Sequence, residues 1–284
     1  MGKMSEGRAV ASSIRETVVS DWSALVEALH SIDMIPKQPG QGGHFRAPFV
    51  FRGMSDSGWP LATSLERLKS PPEKVEAGLL RAFRKYAPRG TFSHNSDWEA
   101  LSVAQHNGLP TRLLDWSVSP LIAAHFATAE REYFSRHGVV WCVDVTALRD
   151  RVLPVDIAKP IKGASAAVYD VAMLERAYPK IVELDATQAA QGDACVFFEP
   201  PSLDARIANQ TGILSMMNSA AGRHQEYFER VAAQDAAVVH RIVIDKSAKS
   251  EIRDKLDQNN IHERMLFPGL PGLCAWLKRY YGPA

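Results

Sequence analysis

The chain has 284 residues, of which 46% are hydrophobic and 23% are charged, and its formal net charge is +1. This balance is typical of a soluble globular protein and argues against a basic field over the whole surface, although it leaves a local cationic patch open. The three cysteines are far apart and form no CxxC pair, and no apolar run approaches the roughly 20 residues of a membrane-spanning helix, so we expect a cytoplasmic protein with no metal site, no disulfides and no membrane partner.

The N-terminal part begins with small polar residues. We therefore expect residues 1–19 to form a flexible segment, with no apolar core of the kind that a signal peptide has. Ser20 and Asp21 then offer an N-cap to a helix whose apolar residues recur at helical spacing.

Apolar periodicity and turn residues predict the remaining elements. Residues 55–67 are expected to be loop and turn, and the tail after residue 260 a turn and a short helix. Strands are predicted at 49–53, 139–145, 194–200 and 237–245, and helices at 73–87, 97–107, 119–138 and 249–260.

The order of these elements favours an α+β fold with a single domain at residues 20–284. The predicted strands are spread along the chain, and the helices concentrate between the first two of them. The sequence has no G-x-G-x-x-G, P-loop, G-x-S-x-G or H-E-x-x-H motif, which lowers the odds of a Rossmann enzyme, an NTPase, a serine hydrolase or a zinc protease.

The first chemical motif is Phe51-Arg52-Gly53 at the end of a short apolar strand. A guanidinium there can make two parallel hydrogen bonds to a phosphate, and glycine lets a ligand approach the backbone. The alternative is a structural arginine paired with a buried carboxylate.

The second motif is QHNGLPTRLLDW at residues 105–116. His106 lies at the predicted end of a helix, where a cationic imidazole is favoured, and Thr111, Arg112 and Asp115 alternate with apolar residues. Asp115 or the serines at 117 and 119 could cap the next helix, whose free N–H groups would attract an anion. The stretch is either a functional pocket or a satisfied network of buried polar groups.

The third motif, residues 204–216, follows a predicted strand that ends in Glu199. Arg206 and Gln210 are four residues apart and would share one face of a helix, although a solvated helical turn explains the same spacing.

These motifs together resemble the FRG domain family, which is named for its Phe-Arg-Gly motif. Besides FRG itself, the matching segments are WPLATSLER (59–67), QHNGLPTRLLDWSVSPLIAAHFA (105–127), PPSLDARIANQTGILSM (200–216) and ERMLFPGLPGLCAWL (263–277). The resemblance covers about residues 20 to 278. It implies a distant relative of the ADP-ribosyltransferase fold, with a split β-sheet core and an N-terminal helical portion, and a place in phage-defence or toxin–antitoxin systems.

The resemblance also implies roles for particular residues. An NAD-dependent ADP-ribosyltransferase would hold NAD through an arginine on its first core strand, for which Arg52 is the match, and would carry a late Gln or Glu, for which Gln210 is the choice and Glu199 the alternative. His106 or Asp115 would serve as general base. Arg52, Ser117 and Gln210 should then line one cleft. The expected NAD-binding residues are Arg52, Gly53, Thr111, Arg112, Trp116, Ser117 and Ser119.

The acceptor is expected to be a macromolecule, with RNA or DNA favoured and protein left open. A cationic face on the predicted helix at 73–87 could follow phosphates, or it could be an ordinary solvated surface. It consists of Lys74, Arg81, Arg84, Lys85 and Arg89. A toxin would also need a neutralising antitoxin protein. Two alternatives remain: a non-catalytic module that binds a nucleotide or phage component and switches a partner, and a structural or inhibitory protein.

Overall fold

The computed structural model describes residues 14–31, 49–92, 96–201 and 205–282. These residues form one eight-stranded β-sheet covered by helices, so the predicted α+β class is confirmed. No helix in the described ranges is long and apolar enough to cross a membrane.

The sheet is mixed, and its strands run in the order β1-β8-β4-β2-β3-β7-β6-β5. The two end pairs, β1 with β8 and β5 with β6, are parallel, and the other neighbours are antiparallel. The strands are β1 (Arg15–Val19), β2 (Phe49–Met54), β3 (Leu113–Ser117), β4 (Gly138–Asp144), β5 (Tyr169–Asp170), β6 (Cys195–Glu199), β7 (Gly212–Met217) and β8 (Val239–Ile244).

The two central strands are joined weakly. β2 pairs with β4 along its whole length but meets β3 at a single pair of residues, Phe51 and Ser117. The sheet is therefore continuous, yet its four-stranded halves separate at β2 and β3. This separation opens the space in which the candidate site lies.

The described part of the chain contains thirteen α-helices. They are α1 (Trp22–His30), α2 (Pro72–Tyr86), α3 (Asp97–His106), α4 (Pro120–Ala127), α5 (Val145–Ala147), α6 (Val155–Gly163), α7 (Val171–Ala177), α8 (Ile181–Gln191), α9 (Ala205–Gln210), α10 (His224–Gln234), α11 (Lys249–Gln258), α12 (Glu263–Leu266) and α13 (Leu270–Tyr280).

Helix α4 packs unusually closely on β2 because of Gly53. A Cβ atom on Gly53 would lie 1.8 Å from the carbonyl oxygen of Ala123 and 2.7 Å from the amide nitrogen of Ala127. A side chain cannot occupy that space, so the glycine of the FRG motif sets the distance between the strand and the helix. This fixes β2 and α4 as two rigid sides of the site.

Several predicted boundaries were wrong. Residues 15–19 were assigned to a flexible segment but form β1, whose Thr17, Val18 and Val19 are β-branched and pair in register with β8; residues 1–13 lie outside the described ranges. The described chain thus begins with a strand, not with a helical portion.

The other corrections concern helices. The helix predicted at 119–138 ends at Ala127, and a 3₁₀ turn at Arg131–Tyr133 separates it from β4. Helices α5 to α8, between β4 and β6, were not predicted. α5 and α7 are short, and α6 contains Pro160 inside it, a residue that normally marks the end of a helix in a sequence.

Candidate functional site

A cleft opens where β2 and β3 separate. Its volume is about 590 Å³, which falls within the ordinary range of small-molecule and cofactor sites. We call it the Arg52 cleft. It is lined by Phe51, Arg52, Gly53, Met54, Ser55, Trp59, Pro60, Ala62, Arg67, Asp115, Trp116, Ser117, Ala123, Phe126, Glu130, Arg206 and Gln210.

Arg52 lies on β2 at the back of this cleft. Its Nη1 donates a hydrogen bond of 2.6 Å to the backbone oxygen of Asp115, across the gap between the two central strands. Its Nε is buried and has no hydrogen-bond partner among the described residues. Burial lowers the pKa of Arg52, Asp115 opposes that shift and Arg67 adds to it. Arg52 is therefore a cation held in place by Asp115, with one buried donor that the described protein leaves unpaired.

The cleft carries an excess of positive charge. Arg67 and Arg206 line it with Arg52, against two carboxylates, Asp115 and Glu130. Arg67 donates a 2.8 Å hydrogen bond to the oxygen of Ala62, and the guanidinium of Arg206 lies 5.1 Å from the centre of the Phe267 ring. Because both side chains are exposed, they can turn toward a ligand. An anionic ligand fits this charge balance.

One side of the cleft is formed by residues 55–67, the wall segment, which is held from several directions. The buried Lys249 donates from Nζ to the oxygens of Ser55, at 2.6 Å, and Tyr133, at 2.8 Å. Burial lowers the pKa of Lys249 to about 8. Asp56 accepts from Arg136 at 2.6 Å. These bonds hold the wall segment as part of the core rather than as a mobile loop.

The far end of the wall segment is tied to other parts of the fold. Leu61 N–H donates to the side chain of Gln225 on α10, and Arg223 pairs with Glu66 at 2.8 Å. Trp59 packs its ring edge-on against Tyr133, with the ring centres 4.7 Å apart. The backbone of the wall segment and the ring of Trp59 are therefore held in place beside the cleft.

Ser117 and Gln210 lie together on the opposite side of the cleft. The hydroxyl of Ser117 donates to the backbone oxygen of Gln210 at 2.8 Å and accepts from the N–H of Ser119 at 3.0 Å. The Gln210 amide donates to the oxygen of Leu266 at 3.1 Å. Arg52, Ser117 and Gln210 thus lie in one cleft, as the sequence analysis required, and the hydroxyl of Ser117 is engaged by the protein itself.

Thr111 and Asp115 belong to a hydrogen-bond network beside the cleft. The buried Thr111 donates to the side-chain oxygen of Gln105, and the amide of Gln105 donates to the Asp115 carboxylate at 2.6 Å. Asp115 lines the cleft, whereas Thr111 does not. The prediction that Thr111 contacts a ligand therefore lacks support from its position.

Arg112 was predicted to bind the cofactor but is buried in an ion-pair cluster. Its guanidinium pairs with Glu76 on α2 and with Asp185 on α8. Burial alone would lower the pKa of Arg112, but the hydrogen bonds and charges of the two carboxylates raise it. Arg112 is thus a structural arginine that ties two helices to β3, and it does not line the cleft.

Trp116 touches the cleft, but its ring belongs to the core. It is 3% exposed, its Nε1 donates to Ser215 at 2.8 Å, and its ring makes edge contacts with Phe197 and Phe228. The prediction that Trp116 stacks on a ligand conflicts with this packing. Two half-buried aromatic residues line the cleft instead, Trp59 and Phe126, and the sequence analysis gave neither a site role.

A buried histidine lies close to Arg52. His224 at the start of α10 is 1% exposed, its Nε2 lies 3.1 Å from the Ser215 hydroxyl, and its Nδ1 has no partner among the described residues. Burial, with a smaller contribution from the charge of Arg52, lowers the pKa of His224 to about 3. His224 is therefore neutral at physiological pH.

The remaining predicted residues lie at the edge of the cleft or away from it. His106 is on the last turn of α3, and Glu199 is at the end of β6 beside Asp170; neither lines the cleft. Ser119 occupies the N-cap position of α4, but its side chain makes no capping hydrogen bond. Gly53 lines the cleft, yet the space that its missing side chain leaves is filled by α4, which corrects the expectation that it admits a ligand.

Trp59, Arg67 and Glu130 are among the cleft residues that sequence analysis missed. The first two lie in WPLATSLER, a segment that supported the family resemblance without being given a chemical role. Glu130 follows α4 and lies in the stretch that was wrongly predicted to be helical. In the described ranges, no three His, Cys, Asp or Glu side chains are placed to hold a metal ion.

Comparison with protein-family models supports the resemblance directly. The FRG domain model matches residues 47–136, which contain the Phe-Arg-Gly strand, the wall segment, β3 and α4. No curated protein and no solved structure gave a match. The matched region supplies most of the residues that line the Arg52 cleft, and over residues 47–136 the resemblance to the FRG domain family is confirmed.

Proposed function

We propose that the protein is an NAD-dependent ADP-ribosyltransferase that uses the Arg52 cleft. The observation that carries the proposal is the position of Arg52. It is held by one hydrogen bond to Asp115, it keeps a buried Nε without a partner, and it shares the cleft with Ser117 and Gln210. The separated central strands also support a distant relation to the split sheet of the ADP-ribosyltransferase fold.

The diphosphate of NAD suits the charge of the cleft. Arg52 would bind it at the back of the cleft, and Arg67 and Arg206 would reach it from exposed positions. Charge-assisted hydrogen bonds from guanidinium groups to phosphate are short and strong. Trp59 is the aromatic surface on which a base or the nicotinamide would pack.

Transfer breaks the bond between the ribose C1′ and the nicotinamide nitrogen, and nicotinamide leaves with the electron pair. A lone pair of the acceptor forms the new bond to C1′, and the acceptor loses a proton to a base or to water. Positive charge develops on the ribose, so an oxygen atom fixed nearby lowers the barrier. Gln210 and Glu130 are the residues we propose for this role, because both line the cleft and Glu199 does not.

A macromolecular acceptor, with RNA or DNA favoured, completes the proposal. A base would have to be single-stranded or flipped out of a duplex to reach C1′. Such an activity would suit a toxin of a phage-defence or toxin–antitoxin system, whose host would require a neutralising partner protein.

The test is incubation of the purified chain with NAD labelled in the adenylate part, in separate reactions with RNA, DNA and protein. We expect label transfer and nicotinamide release from the wild type. In Arg52→Ala both should fall by about 100-fold or more, since a lost charge-stabilising donor typically costs this much.

Arg176→Ala is the matched control, because Arg176 is an exposed arginine on α7 outside the cleft. It should behave as wild type, and circular dichroism should show that all variants are folded. Absence of nicotinamide release from the wild type with every acceptor would contradict the proposal.

A binding module without catalysis is the second candidate, and two observations favour it. His106 lies away from the cleft, and the Asp115 carboxylate is already engaged by Gln105, so neither residue predicted as a base is free in the cleft. Calorimetric binding of NAD or ADP-ribose without any turnover would select this function over the transferase.

A further inference from the structure

Helix α2 carries a row of cations that the site described above does not use. Arg81 and Lys85 follow Lys74 by seven and eleven residues, so the three side chains lie within about 40° of one another around the helix. All three are exposed. We call them the α2 cation row.

The surface between these cations is unusually open. Ala77, Gly78 and Ala82 lie beside the row and are exposed, and a Cβ atom on Gly78 would meet nothing within 4 Å. A polymer can therefore approach the helix backbone closely along the row. Next to Lys85, the side chain of Tyr86 is 77% exposed and offers a ring on which a base could stack.

The charges of the row are not neutralised by the fold. Within the described ranges, Lys74, Arg81 and Lys85 form no ion pair, whereas Arg84 on the inner side of the helix pairs with Asp97 at 2.8 Å. The acidic residues of α2 do not offset them either. Glu76 is buried against Arg112, and Glu73 is exposed about 100° around the helix from Lys74.

The row begins close in sequence to the Arg52 cleft. Arg67 lines the cleft, Lys69 is exposed two residues later, and α2 begins at Pro72. Five residues span at most about 18 Å, so the start of α2 lies within this distance of Arg67, and the 15 residues of α2 are about 22 Å long. One extended strand of nucleic acid is therefore long enough to contact both the row and Arg67.

We propose that the α2 cation row binds the phosphodiester backbone of single-stranded nucleic acid and leads it to the Arg52 cleft. A row of exposed cations beside a flat small-residue surface and an exposed tyrosine has the elements of a single-strand binding surface. The net charge of +1 agrees with a local surface of this kind rather than with a basic field over the whole molecule. As a route for an acceptor, the surface rests on the proposed transferase function; as a binding site, it is tested without NAD.

The experiment measures binding of a fluorescent RNA of about 16 nucleotides to the full chain by anisotropy, between about 50 and 200 mM salt. The variant is Lys74→Gln, Arg81→Gln and Lys85→Gln combined, since glutamine keeps the helix propensity. Each lost contact to a single strand lowers the salt slope of log K by about 0.7, so we expect the slope to fall by about 2 and the affinity at 0.1 M salt by roughly 100-fold.

The matched control removes three cations elsewhere: Lys159→Gln, Arg176→Gln and Lys278→Gln. These residues are exposed on α6, α7 and α13, and the control has the same net charge as the test variant. It should keep the wild-type slope. Equal loss in both variants would mean a general charge effect and would overturn the proposal, as would no RNA binding by the wild type.

Two further binding measurements identify the ligand. Single-stranded DNA of the same sequence distinguishes the two sources of a phosphodiester backbone, and binding of either one through the α2 cation row supports the proposal. Displacement of RNA by polyglutamate at equal charge concentration would show a site for acidic polypeptide and would overturn the proposal. RNA binding without nicotinamide release would support the binding surface and contradict only the proposed transferase activity.

Discussion

Arg52 lies on β2 and Arg112 directly precedes the neighbouring strand β3, yet their charges are satisfied in opposite ways. Arg112 is enclosed by two carboxylates, Glu76 and Asp185, and its charge is fully matched within the protein. Arg52 has one hydrogen bond to a backbone oxygen and a buried Nε without a partner among the described residues. The comparison teaches that an arginine becomes a candidate for ligand binding when the protein leaves its donors unsatisfied, and not through burial or motif alone.

The largest expected effect on stability comes from replacing Arg112, the structural arginine of the two. Arg112→Leu leaves Glu76 buried without its cation, and we expect the free energy of unfolding to fall by about 3 kcal/mol or more. Arg52→Leu should cost about 1.5 kcal/mol or less, because it removes one hydrogen bond from a charged group whose burial is itself unfavourable. Urea denaturation measures both. Adding Glu76→Leu to Arg112→Leu should recover part of the loss, and equal costs for the two single variants would remove the distinction.

The next prediction tests whether Gly53 is required for the packing of α4 on β2. Gly53→Ala places a methyl group 1.8 Å from the Ala123 oxygen, so α4 must move, and we expect a loss of about 3 kcal/mol in unfolding free energy. Gly58→Ala in the wall segment is the control, since its nearest contact, the Asp56 carboxylate, lies 3.3 Å away and no backbone atom is within 4 Å. If Gly53→Ala unfolds like wild type but binds ligand more weakly, the glycine serves the ligand instead.

A smaller effect concerns the histidine near Arg52. The pKa of His224 is about 3 in the folded protein and near 6.5 in the unfolded chain, so the unfolded state binds the extra proton between these values. Stability should therefore fall as pH decreases from 6.5 toward 3, by at most about 1.4 kcal/mol per pH unit for this group.

His224→Gln should reduce that slope by the contribution of one group, measured by urea denaturation across this pH range. Buried His125, whose pKa burial also lowers to about 3, supplies a second such group that the variant retains. In Arg52→Met the pKa of His224 should rise, because a neighbouring cation is gone, and NMR titration measures it. An unchanged pKa would mean that Arg52 and His224 do not interact.

The smallest expected effect is a gain in stability. Gly78 lies inside α2 with open space around it, so Gly78→Ala should raise the unfolding free energy by about 0.5 to 1 kcal/mol. Because α2 also holds Glu76, a firmer helix should leave Arg112 paired and Arg52 unaffected. Thermal denaturation checks this, and a loss of stability would show that the space beside Gly78 is occupied.

Long, strongly patterned elements could be predicted from the sequence, while pairings across the chain could not. Helix α3 and strand β4 were predicted within one residue, because a serine N-cap and a continuous apolar run mark them. β1 was missed because four of its five residues are exposed and only its pairing with β8 defines it.

The same limit explains which residues of the site could be predicted from the sequence. Arg52 could be identified as a candidate from its strand and its glycine. Arg112 could not be excluded, because its partners lie 36 and 73 residues away. Trp59 and Arg67 lie in a segment with turn residues and no periodicity, so only the folded chain shows that they face β3 across the cleft.

The most direct test of the difference between the two arginines is the dissociation constant of NAD measured by calorimetry for wild type and Arg52→Met. If the Arg52 guanidinium binds the diphosphate, loss of a charged hydrogen bond of about 1.5 to 3 kcal/mol should raise the dissociation constant roughly 10- to 150-fold in a variant that remains folded. Equal dissociation constants in the two proteins, or no binding by the wild type, would contradict it.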